Sequence, residues 1–295
     1  MISLNIDNSK SYTLVGAGCS HTQGCAFTVY KSGKFKWATE AIKKKYSTNC
    51  TPEFITDNLT WMSKLSKYIP TNKIVNFGLG GSGTTSSLRH IKTYLLNKKD
   101  VKDHIFIIQL QSVYRNEIMT NIFSPHTVID SVRAFLNRDV VDSKFRRQYA
   151  ELLFDEQIQE AKYFRELLYL QDTLVKLGAQ VRIFFQPWYR FPNFSEHTCN
   201  NIDGMYQSVD QKSFDTEELK IKDIITSLNI IDLTNSKDEY DIGALLGKNI
   251  RPTLHNEKLI PDDHHLSELG NELVAKSIFY NIDNKFKYYD EETLI

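Results

Sequence analysis

The hydrophobic and polar positions of this chain fall into two kinds of segment. Short apolar runs that end at glycine or polar residues indicate strands buried on both faces of a sheet. They predict strands at residues 12–16, 73–77, 104–110, 180–185 and 230–233.

Between these runs, apolar residues recur at helical spacing. This spacing predicts helices at residues 59–68, around Leu88, Ile91 and Leu95, at 158–177 and at 268–280. Gly178 directly follows the third helix, where a glycine in a left-handed conformation commonly ends a helix. Ser267 stands where an N-terminal cap of the last helix is expected.

Strands alternating with helices predict a mostly parallel sheet of about five strands covered on both faces, a three-layer α/β/α sandwich. The sequence shows no internal repeat and no flexible linker, so we expect one domain over residues 1–295. Three stretches break the alternation and are interpreted as insertions: 25–57, 113–157, which we expect to contain extra helix, and the loop-rich 188–220.

The composition narrows the class of protein. Lys+Arg 36 against Asp+Glu 36 gives zero net charge, which does not favour a nucleic-acid partner. Four cysteines without a Cys-x-x-Cys pair indicate free thiols rather than a zinc ribbon or a disulfide framework. The N-terminal residues show no signal pattern and no apolar run is long enough to span a membrane, so we expect a cytoplasmic protein. A phage-encoded or virion-associated protein fits the same pattern, and the sequence indicates no oligomeric state.

Two separated motifs carry the candidate chemistry. Ser20 lies on a glycine-flanked turn, residues 18–24, directly after the first strand, and Asp262 and His265 lie just before the last helix. A serine hydroxyl is a weak nucleophile that needs a base, and a carboxylate can orient a histidine for that role. We therefore predict Ser20 as nucleophile, His265 as base and Asp262 as the residue that orients the base. Cys19 remains an alternative nucleophile.

Each of these roles has a competitor or a simpler explanation. His264 and Asp263 adjoin the preferred base and carboxylate, and Ser20 alone would also suit a turn cap. The backbone N–H groups of Ser20 and Gly81 and the side chain of Gln111 are the predicted oxyanion donors. Three further residues are candidate substrate contacts: Arg115, His21 and Trp188. The histidines show no metal-ligand spacing, so we predict neither a metal nor a cofactor.

The chain resembles the SGNH (GDSL-type) hydrolases, especially the phage and bacterial branch whose first block reads Gly-Cys-Ser-Phe-Thr-x-Gly. Residues 18–24 match that block, residues 76–81 the second, with Gly81 at its oxyanion glycine, and residues 262–270 the last. Two features depart from the family pattern. Cys19 stands where the family usually has aspartate, and residues 109–112, Gln-Leu-Gln-Ser, replace Gly-x-Asn-Asp.

The resemblance implies a flavodoxin-like sheet and ester hydrolysis through an acyl-enzyme. The implied substrate is a small O-acyl ester, such as an O-acetylated carbohydrate. Two rival functions stay open. One is acyl transfer by the same three residues. The other is a non-catalytic binding or structural role, which is suggested by the altered third block of the family at residues 109–112.

Overall fold

The structure is a computed structural model that describes residues 6–24, 51–80, 82–98, 100–111, 116–117, 128–129, 156–185, 224, 227–231 and 268–282. Its strands are β1 Tyr12–Gly18, β2 Thr71–Gly78, β3 His104–Leu110, β4 Asn116–Glu117, β5 Val128–Ile129, β6 Gln180–Phe185 and β7 Ile230–Ile231. Its helices are α1 Ser20–Gln23, α2 Pro52–Asn58, α3 Trp61–Leu65, α4 Thr84–Leu96, α5 Glu156–Lys176 and α6 Glu268–Ile282.

Five strands form one parallel sheet in the order β2-β1-β3-β6-β7. Counted along the sheet, this is the 2-1-3-4-5 order of flavodoxin-like folds. In register, Gly18 at the end of β1 pairs with Gly78 at the end of β2, and Ala17 pairs with Ile108 of β3. The carboxyl ends of the three strands therefore meet at one edge.

Both faces of the sheet are covered, which confirms the predicted three-layer sandwich. One face packs its apolar residues, among them Val15, Phe106 and Ile183, against α4 and α5. The opposite face packs Leu14, Ile107 and Phe184 against α3 and α6. Residues alternate between these faces along each strand, as the pleat requires.

The helix ends follow from local sequence. Gly178 has φ 84°, and the bonds from Gly178 N–H to Val175 O and from Ala179 N–H to Leu174 O close a Schellman motif after α5. This confirms the predicted role of Gly178. At the start of α2, the Thr51 hydroxyl accepts a hydrogen bond from the Phe54 N–H at 3.1 Å.

The predicted strands and long helices are present with small shifts of their ends, and the predicted turn at 18–24 contains the short helix α1. Three further differences are larger. Helix α2 lies at the end of a stretch interpreted as an insertion. The helix predicted over 59–68 is shorter, because Thr60 caps it at its start and Ser66 follows its last residue. The expected extra helix within 113–157 is wrong for β4 and β5, which pair antiparallel, in keeping with the strand preference of Val128 and Ile129.

Among the described helices, none combines the length and the apolar character that crossing a bilayer requires. The predicted cap Ser267, residues 232–233 and most of the three insertions lie outside the described residues.

Candidate active site

Two of the sequence motifs, residues 18–24 and residues 109–112, lie together at the carboxyl edge of the sheet. Ser20 is the first residue of α1 and follows the end of β1 by two positions. Gln111 directly follows β3, the neighbour of β1. In open parallel sheets this edge is where ligands bind. For Ser20 and His21 the structure describes the backbone alone. Five predicted site residues lie outside the described residues: Gly81, Arg115, Trp188, Asp262 and His265.

Three side-chain amides hold the short helix α1. Gln109 Oε1, from β3, accepts a hydrogen bond from Thr22 Oγ1 at 2.7 Å. Asn76 Nδ2, from β2, donates to the Thr22 carbonyl at 2.8 Å, and Asn76 Oδ1 accepts from the Gly78 N–H. Gln23 Oε1, from α1 itself, accepts from the Gly80 N–H at 2.7 Å. The turn that carries Ser20 is thus tied to both neighbouring strands and to the loop after β2.

Two glycines allow the turn to pack this closely. A Cβ on Gly18 would lie 2.2 Å from Thr22 Oγ1 and 2.7 Å from Gln109 Oε1. A Cβ on Gly78 would lie 2.2 Å from the backbone nitrogen of Gln23. Both distances are far inside van der Waals contact, so the glycines of the first and second motifs are needed where β1 and β2 meet α1.

Three N–H groups of the loop between β2 and α4 donate to acceptors within the protein. The Leu79 N–H donates to the Gly18 carbonyl, the Gly80 N–H to Gln23 Oε1, and the Ser82 N–H to the Leu79 carbonyl. The Ser82 hydroxyl also donates to the Gly18 carbonyl at 3.1 Å. The loop is therefore fastened to the end of β1, and its described N–H groups at 79, 80 and 82 all have acceptors.

Gln111 is fixed at both its backbone and its side chain. Its N–H donates to Thr84 Oγ1, at the start of α4, at 3.2 Å. Its side-chain amide donates to the carbonyl of Gln109. The residue is 3% exposed, and its Oε1 finds no donor among the described residues. One N–H of this amide is engaged, which leaves the second for another acceptor.

The last helix is anchored beside the same edge. Asn271 Oδ1 accepts from the Trp61 N–H at 2.8 Å, and the Trp61 ring lies 5.3 Å from the ring of Phe184. Phe184 pairs in register with Gln109. Asn271 of α6 is thus connected, through Trp61, to the residue that pairs with Gln109 near the end of β3.

Charged groups are scarce in the described part of the site. Arg182 of β6 pairs with Ile107 and so lies two residues before the level of Gln109. Burial lowers the pKa of this guanidinium to about 10, and its Nη1 donates to the Val181 carbonyl. Across the described ranges, no three His, Cys, Asp or Glu side chains gather in a way that would hold a metal ion.

Sequence reasoning missed the amide residues of this site. Asn76 lies in the motif at residues 76–81 and Gln109 in the segment 109–112, but the sequence analysis assigns neither a role. Asn271 directly follows the motif at residues 262–270. For Gln109 a signal existed: it is a polar residue near the end of an otherwise apolar buried strand, and such residues are rarely buried without a partner.

The structure is similar to that of a protein described as lipolytic and of the G-D-S-L family from Desulfitobacterium hafniense DCB-2, with 11% identity, TM-score 0.38 and coverage of 92% of this chain and 99% of that chain. It is also similar to a member of the lipolytic protein G-D-S-L family from Veillonella parvula DSM 2008, with 11% identity and TM-score 0.39. That match covers 94% of this chain and 98% of that chain. No protein-family model and no curated protein matches the chain.

Proposed function

We propose that the chain is a serine-dependent ester hydrolase that acts on small O-acyl esters through an acyl-enzyme. The observation that carries the proposal is the placement of Ser20 on a short turn at the carboxyl edge, braced by amides from both neighbouring strands. Such bracing suits a nucleophile, which must be held within a narrow range of positions relative to its substrate.

In the proposed reaction, His265 takes the proton of the Ser20 hydroxyl as its oxygen attacks the ester carbonyl. The tetrahedral intermediate collapses with release of the alcohol, which receives the proton from His265. Water then attacks the acyl-serine, again with His265 as base, and releases the acid and free Ser20. Asp262 would hold the imidazole in the required tautomer and orientation.

The position of α6 supports the role of the last motif. His265 precedes Glu268, the first residue of α6, by three residues, and an extended chain of that length spans at most about 11 Å. Through Asn271 and Trp61, the first turns of α6 are connected to Phe184, the residue paired with Gln109 near the end of β3. We propose that the last motif brings its base to the Ser20 turn from this side.

The hydrogen bonds of the loop after β2 support Gly81 as an oxyanion donor. The described N–H groups at 79, 80 and 82 have acceptors within the protein, so we propose the N–H of Gly81 as the oxyanion donor of that stretch. Ser20 is the first residue of a helix, so its own N–H has no acceptor within the helix. Gln111 would add its second amide N–H, which is a weaker arrangement than a fully uncommitted amide.

The proposed substrate is a small O-acyl ester, such as an O-acetylated carbohydrate. Trp188 would provide an aromatic platform for a sugar ring, His21 would contact the substrate beside Ser20, and Arg115 would bind an acidic substituent. The roles of His21 and Arg115 come from their positions beside Ser20 and after the third strand, and that of Trp188 from its aromatic side chain in the insertion 188–220.

Hydrolysis of p-nitrophenyl acetate and butyrate tests the function, with neighbouring residues as matched controls. We expect Ser20→Ala and His265→Ala to lose at least about 10,000-fold in kcat, as other triad knockouts do. His264→Ala and Asp263→Asn should retain most of the activity, whereas Asp262→Asn should not. Cys19→Ala should lose far less than Ser20→Ala, and a complete loss with Cys19→Ala in place of Ser20→Ala would identify a thiol nucleophile.

Wild-type protein that matches buffer on these esters, and that does not react with a fluorophosphonate probe, would contradict the proposal. Rapid acylation followed by slow release to water, with faster release to added alcohols or sugars, would point instead to acyl transfer.

A further inference from the structure

Gln109 is the most enclosed polar residue beside the Ser20 turn. It is 0% exposed and lies near the carboxyl end of β3, on the face covered by α3 and α6. Its Oε1 accepts hydrogen bonds from Thr22 Oγ1 at 2.7 Å and from the Cys19 thiol at 3.6 Å. Both partners are themselves 0% exposed.

These two contacts lie on either side of the candidate nucleophile. Cys19 precedes Ser20 by one residue and Thr22 follows it by two. A single carboxamide oxygen therefore reaches across the start of α1 and holds the residues that flank Ser20. A shift of this oxygen would shift the backbone of the turn rather than one side chain.

The backbone of β1 is shaped to receive this side chain. Because Gly18 has no Cβ, the side chain of Gln109 occupies the space beside it: a Cβ there would lie 2.7 Å from Gln109 Oε1 and 2.9 Å from Gln109 Cβ. The contact is thus a close fit between β3 and the end of β1.

The other half of the carboxamide has no such partner within the described residues: Gln109 Nε2 is buried and finds no acceptor among them. A buried amide group without a partner destabilises a fold, so such a group in a native protein calls for an explanation, and a catalytic role is one. A purely structural bridge would be expected to satisfy both halves of the amide.

We propose that Gln109 is a positioning residue for the nucleophile: through Thr22 and Cys19 it sets the place of Ser20 relative to the oxyanion donors. This inference rests on the proposed ester hydrolysis. It predicts that loss of the carboxamide lowers the rate of acylation while substrate binding is retained.

A double-mutant cycle with Thr22 tests the inference on the full chain. We expect Gln109→Met and Thr22→Val each to lower kcat for p-nitrophenyl acetate by about 100-fold, the effect of a reacting group displaced by about 1 Å, with little change in KM. Since Thr22 acts through its hydrogen bond to Gln109, the double variant should be no slower than Gln109→Met alone. Thr22→Ser keeps the hydroxyl and should restore most of the rate.

Gln171→Met is the matched control, because it removes another buried glutamine far along the chain from the turn. Gln171 lies on α5, where its Nε2 donates to the Ser227 carbonyl at 2.9 Å and its Oε1 accepts from the Asn229 N–H at 2.7 Å. This variant should keep the wild-type kcat even where its melting temperature falls. Thermal melts of all variants separate a loss of fold from a loss of position.

A second readout does not depend on turnover. Cys19 is buried against Gln109, so its alkylation by iodoacetamide, followed by peptide mass spectrometry, should be faster in Gln109→Met than in wild type. Unchanged Cys19 alkylation, additive losses in the cycle, or a wild-type kcat in folded Gln109→Met would each overturn the inference. Wild type that neither hydrolyses esters nor reacts with a fluorophosphonate, but shows the alkylation difference, would overturn the proposed function and with it the catalytic part of the inference.

Discussion

Two buried glutamines, Gln109 at the carboxyl edge and Gln171 between α5 and β7, differ in how their side-chain amides are hydrogen-bonded. Gln171 has both halves of its amide paired, to the Ser227 carbonyl and the Asn229 N–H. Gln109 has its oxygen bonded to the Ser20 turn and its nitrogen without an acceptor among the described residues. The first arrangement stabilises the fold, and the second, in our proposal, positions a turn while leaving an amide nitrogen without a partner among the described residues.

The glycines repeat this contrast. Gly78, at the carboxyl edge, leaves no room for a Cβ, which would lie 2.2 Å from the Gln23 nitrogen. Gly178, at the end of α5, is needed for its positive φ, and a Cβ there would meet Lys102 only at 3.5 Å or more. The edge is therefore built for close approach of backbone to backbone, whereas the remote helix end is built for a change of direction.

The largest effect should come from Gly78→Ala. Its methyl group would collide with the backbone of α1, which cannot move aside as a flexible side chain can, so we expect a loss of about 3 kcal/mol in the free energy of unfolding and of nearly all esterase activity. Gly178→Ala should cost about 1 kcal/mol, because alanine is strained at positive φ, and should leave activity intact. Urea unfolding and kcat on p-nitrophenyl acetate measure both. Equal activity in the two variants would contradict the contrast.

Asn271→Ala should have the next largest effect. It removes the acceptor of the Trp61 N–H, which is buried between α3 and α6, so we expect a loss of about 2 kcal/mol. Because Asn271 lies in the first turns of α6, shortly after His265, activity should fall as well. Glu272→Gln, one residue later on the same helix, is the matched control. It weakens the contacts of Glu272 with Tyr68 and Lys67 and should affect stability less. Full activity in folded Asn271→Ala would show that this anchor does not place the base.

The two glutamines provide a third test with a smaller effect. Gln171→Met should lose more stability than Gln109→Met, whereas Gln109→Met should lose more activity. Gln171→Met leaves the buried Asn229 N–H without its acceptor and should cost about 1–2 kcal/mol. Gln109→Met removes the hydrogen bond to Thr22 together with an amide nitrogen that has no acceptor among the described residues, so its net cost should be below about 1 kcal/mol. Denaturant melts rank the stabilities. A larger loss of stability in Gln109→Met than in Gln171→Met would mean that Gln109 is chiefly structural.

The strands and long helices were predictable because burial leaves a direct trace in the sequence. The apolar run of β3 and the helical spacing of α5 are set by contact with the core, and the prediction for residues 104–110 coincides with the strand. Helix α2 was missed although Thr51 and Pro52 form a recognisable helix start, because the surrounding stretch looked like an insertion. The β4–β5 pair depends on a partner segment, which periodicity does not reveal.

At the candidate site, the motifs located Ser20, Gly78 and Gln111 at strand ends, which the parallel sheet then brings to one edge. The amide network was not predictable, since the bond from Thr22 to Gln109 joins residues 87 positions apart and depends on the packing of β1 against β3. The roles of Asp262, His265, Gly81, Arg115 and Trp188 stay predictions.

The smallest expected effect lies at the opposite end of β3 from Gln109. His104 Nε2 lies 3.0 Å from the Tyr94 hydroxyl, and burial, aided by Lys98, lowers the pKa of His104 from its ordinary value of 6.5. Its folded-state pKa is therefore below its unfolded value, so acid favours the unfolded state. The stability that His104 contributes is present at neutral pH and is lost as pH falls below about 6.5.

Because His104 is partly solvated, this acid sensitivity should be modest, and it should be separate from the chemistry at Ser20. His104→Gln keeps a neutral partner for the Tyr94 hydroxyl but has no group that titrates in this range. We expect its melting temperature to fall less than that of wild type between pH 7.5 and 5.5, with kcat at pH 7.5 unchanged. Equal falls would show that burial at this edge does not hold the imidazole neutral. A lowered kcat would show that the two ends of β3 are coupled and would weaken the contrast between the carboxyl edge and the rest of the molecule.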